Sequence, residues 1–173
     1  MIRDTFDNIV ARLHLAVERR KQLGWSEEQL AQYNNSKEGL HAWCDYINTK
    51  FAKETFESDL ISPAVKELMK DVPCHADFFR YAQWHNLAIE MTDRMNLPMH
   101  YLHYEDYNRD YNKTVADLFS FLDLEAVSEP IGFIAGKTYR DYFEKEEQIA
   151  TSRLVKAVAS PECWDLVGVY FDQ

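Results

Sequence analysis

A chain of 173 residues that is 46% apolar can bury one core, and its net charge of −10 argues against nucleic acid, which wants a basic face, and leaves any anionic ligand to a local cluster of basic side chains. An aromatic share of 14% argues against disorder. No apolar run approaches the length of a membrane span, and the opening residues lack a signal peptide's apolar stretch.

Met1 and Ile2 read as the end of a buried strand. Asp4 or Thr5 then caps a helix running to Leu23, with Phe6, Ile9, Val10, Leu13 and Ala16 at helical spacing and Gly24 as its stop. Ser26 with Gln29 three residues on is a capping box for a short second helix. Ser36 opens a third, with Leu40, Trp43, Cys44, Ile47 and Phe51 along one face. Ser62-Pro63 starts a short fourth, and a long, largely buried helix spans His75 to Met95. Leu97-Pro98 stops it, and the aromatic segment Met99 to Tyr104 reads as a strand. After a turn, a helix runs from Asn112 to Leu122. Asp123 to Lys137 is loop-like, with Pro130, Gly132 and Gly136, and helices over Glu144 to Ala159 and Glu162 to Phe171 close the chain.

Arg3 falls between a strand end and a helix N-terminus, a place that suits a phosphate because a guanidinium adds a fork of donors to unpaired backbone N–H groups. The alternative is an ion pair with Asp4 or Asp7 that only holds the turn. Gly132 to Thr138 looks like a phosphate loop, but three residues separate its glycines where that motif needs four. What survives is a glycine loop carrying Lys137 and Arg140, either solvated or phosphate-binding. Trp84-His85 reads as a core tryptophan beside a satisfied histidine, or else as a substrate feature. Tyr104, at a strand's carboxyl end, stands where α/β domains stack a ligand ring, or else marks no more than the strand's terminus. His100 and His103 point to opposite faces, and His41 with Cys44 or Asp45 supplies only two ligands, so no metal is expected. Cys44, Cys74 and Cys163 are too scattered for a disulfide framework; one pair stays open, with free thiols expected.

Together these segments resemble the nucleotide-dependent sulfotransferases, from their nucleotide-binding half onward. Ile2 to Arg12 is similar to that family's strand–arginine–helix segment, and Leu102-His103-Tyr104-Glu105-Asp106 resembles its Tyr-Glu-Asp strand end. Leu118 to Leu124 is like its Phe-Leu-Asp-Leu turn, and Gly136 to Phe143 resembles its late glycine–aromatic–basic element. The resemblance implies an α/β, P-loop-like sulfotransferase fold seen in part, mostly helical, with one or two short parallel strands. Residues 1–173 would be a single domain, the downstream part of a sulfotransferase domain. It also implies sulfuryl transfer from 3′-phosphoadenylyl sulfate to a hydroxyl or amine of a small-molecule or carbohydrate acceptor. Arg3 and Tyr104, with Lys137 and Arg140, would then bind the cofactor.

The departures are specific. Thr5 stands where the family has proline, Ala11 stands where it has a serine, and no Arg-Lys-Gly run precedes Gly136. The family's phosphosulfate loop and catalytic histidine lie upstream of the segment that starts at Met1, so no catalytic residue is assigned and the chain alone is expected to be inactive. The alternative is a non-catalytic helical interaction module derived from that fold. Buried Trp43, Trp84 and Trp164 are expected, as is an exposed apolar seam through which the chain self-associates. The resemblance leaves cytosol and Golgi lumen both open.

Overall fold

The computed structural model describes residues 1–55, 61–128 and 136–171. Pro130 and Gly132, assigned above to a loop, lie outside the described residues.

Helix α1 (Thr5–Gln22) is started by Asp4, whose carboxylate accepts from the N–H of Phe6 at 2.9 Å and of Asp7 at 3.3 Å. Phe6, Ile9, Val10 and Leu13 face the core, and Gly24 follows its end with φ +84°, a left-handed conformation that glycine adopts without strain. The expected capping box opens α2 (Glu27–Ala31). Next come α3 (Lys37–Thr55), α4 (Pro63–Met69) with proline in its first turn, and α5 (His75–Arg94). Two elements were not anticipated in form. The turn after Tyr104 is a short helix, α6 (Asp106–Arg109), that leads into α7 (Tyr111–Leu122), and the last helical stretch divides. After α8 (Lys145–Val158), α9 (Pro161–Val167) tightens at Gly168 into a 3₁₀ turn, Gly168–Tyr170. A second 3₁₀ turn, Arg140–Tyr142, precedes α8.

The expected α/β class with short parallel strands is overturned. Among the described residues the regular structure is helical, and the pairing of Met1–Arg3 with Met99–Tyr104 shrinks to one isolated parallel bridge, Ile2 with His103. Helix α1 begins at Thr5 and α6 at Asp106, so both segments turn helical within three residues of the bridge and no ladder extends beyond it on that side.

The core forms where α1, α3, α5, α8 and α9 meet. Phe6 is its hub: the rings of Phe78, Phe143 and Phe171 meet it edge-on at 5.0–5.6 Å between centroids. The expectation of free thiols fails for two of three cysteines. Cys44 on α3 and Cys74 at the head of α5 form a disulfide across a separation of 30 residues, because α3 and α5 pack side by side. Cys163 stays free and buried, its thiol pushed up to about 11 by burial. Trp43 is buried and Trp164 half-buried, but Trp84 is 63% exposed, contrary to expectation. With Leu87 and Met91 it forms an apolar stripe at i, i+3, i+7 on α5 that no element covers among the described residues.

Candidate functional site

A cleft of about 400 Å³ opens where the head of α1 meets α5. The single bridge places its two principal residues: the Ile2 N–H donates to the Leu102 carbonyl and the Tyr104 N–H to the Ile2 carbonyl, both at 2.7 Å. These bonds fix Arg3 beside Tyr104, and the guanidinium lies over the phenol ring 4.6 Å from its centroid. The Tyr81 hydroxyl donates to the Arg3 carbonyl at 2.9 Å and ties α5 to the same corner.

Glu105 locks this arrangement from beneath. One carboxylate oxygen accepts from the Asp4 N–H at 2.9 Å and the other from the Tyr170 hydroxyl at 2.5 Å. Since Tyr170 spends its proton on Glu105, the His103 Nδ1 at 2.8 Å from the phenol oxygen carries the hydrogen there. The Tyr-Glu-Asp segment thus holds the cleft together, and α1, α5 and the chain's end meet on it.

The walls are basic and aromatic. Asn8 and Arg12, one turn apart on α1, line the cleft, as do Arg80, Tyr81, Trp84 and His85 on α5. Arg12 pairs with Asp77 at 3.3 Å and Arg80 with Glu54 at 2.6 Å, whereas Arg3 has no ion-pair partner among the described residues. Its Nε is buried without a hydrogen-bond partner. The His85 Nε2 is likewise buried with no hydrogen-bond partner among the described residues, and burial holds the imidazole down to about 4, so it is neutral near pH 7. Burial raises the Asp77 carboxyl, with Arg12 and Arg80 pulling the other way. Asp4 is pushed up to about 6 by burial and by the neighbouring Asp7 charge, against the pull of Arg140.

Of the four residues expected to bind a cofactor, the fold brings together Arg3 and Tyr104 and separates the other two. Lys137 is exposed and does not line this cleft. Arg140 packs over the Phe6 ring at 4.9 Å, bonds the Tyr170 carbonyl and stands 3.6 Å from Asp4, as a cation built into the core's edge. The backbone N–H groups at the α1 head, also expected to take a phosphate, are occupied by Asp4. Sequence reasoning missed Asn8, Arg12 and Arg80; the spacing Asn8–Arg12 on one helical face was the available signal, while Arg80 depended on how α5 lies against α1.

Among the described residues no group of three or more His, Cys, Asp and Glu side chains is placed to hold a metal ion. No helix there is long and apolar enough to cross a membrane. No family model matches this chain, and no curated protein or solved structure matches it either.

Proposed function

We propose that the Arg3–Tyr104 cleft holds the phosphorylated adenosine end of a nucleotide, and that the chain serves sulfuryl transfer from 3′-phosphoadenylyl sulfate to a hydroxyl or amine acceptor. The observation that carries this reading is Arg3. Among the described residues it is a guanidinium with no carboxylate at ion-pair distance, Asp7 feeling its charge from further off, and with a buried Nε that has no hydrogen-bond partner, in the same cleft as Arg12 and an asparagine. In a chain of net charge −10, such a cleft concentrates positive charge where an anionic ligand can reach it.

In the transfer itself, the acceptor oxygen or nitrogen bonds to sulfur as the sulfur–oxygen bond to the phosphate breaks, and the acceptor proton goes to a base. Arg3 and Arg12 would hold the ribose phosphate, which fixes the nucleotide for in-line displacement. His85 is too weakly basic at about 4 to take that proton efficiently, and no residue of this chain is assigned as the base. The chain is therefore proposed as the binding part of the site, inactive by itself. The Cys44–Cys74 disulfide favours an oxidising lumen over the cytosol as its compartment.

Thermal melting tests this reading. Adenosine 3′,5′-bisphosphate is expected to raise the melting temperature with the logarithm of its excess over Kd, and adenosine without phosphate is not. Equal effects of the two, or none from the bisphosphate, would overturn it.

The uncovered Trp84–Leu87–Met91 stripe favours a second reading, a helical module that binds another protein and no nucleotide. The same melting series separates the two readings, since a module of that kind does not respond to the bisphosphate.

A further inference from the structure

Tyr104 is poorly placed to stack a nucleobase, because the Arg3 guanidinium already lies over its ring at 4.6 Å. The cleft's exposed aromatic is Trp84, and beside it sits an unanswered polar group. His85 is 9% exposed, its ring is held 4.4 Å from that of Tyr81 and 5.2 Å from that of Trp84, and its Nε2 has no hydrogen-bond partner among the described residues. Both residues also line a smaller apolar cavity of about 150 Å³ that continues past Trp84 towards Ala88, Met99 and Leu166. One end of the combined site is therefore cationic, at Arg3 and Arg12, and the other is aromatic and apolar, with the imidazoles of His85 and His100 in its lining.

We propose that Trp84 is the platform for the ligand's purine ring, with His85 Nε2 at the ring's edge. This rests on the reading that a phosphate sits at Arg3. A purine offers a flat π face and a rim of alternating donors and acceptors. A neutral imidazole can meet that rim in whichever role its tautomer provides. The 400 Å³ of the principal cleft falls within the range of about 300–1,000 Å³ usual for small-ligand sites. The proposal turns two features that look unfavourable in the free protein, an exposed tryptophan and an orphaned buried histidine, into the two sides of one recognition element.

Affinity is measured for two probes, adenosine 3′,5′-bisphosphate and the base-free ribose 5-phosphate, on wild type, Trp84→Leu, Trp84→Phe and His85→Phe. Trp84→Leu is expected to weaken the bisphosphate by about ten-fold, the usual size of a base–aromatic stack, and to leave ribose 5-phosphate unchanged. Trp84→Phe restores most of the loss, and His85→Phe weakens only the bisphosphate. If Trp84→Leu leaves the bisphosphate unaffected, or weakens both probes equally, the purine platform is overturned and the phosphate site at Arg3 stands. If wild type binds neither probe, both fall together.

Discussion

Asp4, half-buried at the head of α1, and His85, buried in the cleft wall, pull stability in opposite directions as pH changes. Asp4 rises in the fold from 3.8 to about 6, so the stabilisation from its protonated form is full below about 3.8 and is lost as pH climbs through about 6. His85 falls from 6.5 to about 4, so the stabilisation from its neutral form is full above about 6.5 and is lost as pH drops through about 4. At 1.36 kcal/mol per pKa unit each effect is at most about 3 kcal/mol. Asp7 and Asp77, also raised by burial, side with Asp4. Between pH 6 and 4 any gain in stability on acidification is therefore what the aspartates give less a loss at His85 about as large as the gain at Asp4. Asp4→Asn, which keeps a capping side chain, should reduce that gain, and His85→Phe should enlarge it. Urea midpoints across the window measure both, and parallel curves for all three proteins would contradict the assignment.

Two links between helices invite direct measurement. Arg20, at the end of α1, lies buried among four rings, its guanidinium 4.6–4.8 Å from the centroids of Trp25, Tyr33, Trp43 and Tyr46. Arg20→Met keeps the length and removes the charge, and is expected to cost about 2 kcal/mol in denaturant unfolding. The Cys44–Cys74 bond closes a loop across 30 residues, and replacing both cysteines by alanine should cost about 3–4 kcal/mol. Neither feature was legible in the sequence, since each depends on which helices become neighbours. The helices themselves were, because their signals are local: Asp4, the Ser26–Gln29 pair, Ser62-Pro63 and Gly24 mark ends within a turn of where they occur. Met99 to Tyr104 shows the limit. Its aromatic residues announce an extended backbone but not how much partner it has, and the answer was one bridge. Arg3 and Tyr104 come together because each directly follows a residue of that bridge. That Lys137 and Arg140 lie away from the Arg3 cleft was not legible, because a basic residue near a glycine says nothing about the direction it faces.

Taken as one body, the molecule carries two surface features that its composition does not foretell: a cationic cleft on a chain of net charge −10, and the uncovered apolar stripe on α5. The stripe should make the protein self-associate with rising concentration. Leu87→Lys with Met91→Lys, both at exposed positions, should yield a monomer in sedimentation with little change in stability. A wild-type protein that stays monomeric at all concentrations would show the stripe to be inert. The cleft is tested most directly by titration calorimetry of adenosine 3′,5′-bisphosphate into wild type, Arg3→Ala and Arg140→Ala. Wild type should bind in the high micromolar range, about −5 kcal/mol. Arg3→Ala should lose about 1.5–3 kcal/mol of that, leaving nothing measurable, because a charge-assisted fork has gone. Arg140→Ala should bind nearly as wild type does, since Arg140 is engaged by Asp4 and Tyr170 outside the cleft. Binding of equal strength by wild type and Arg3→Ala would contradict the site.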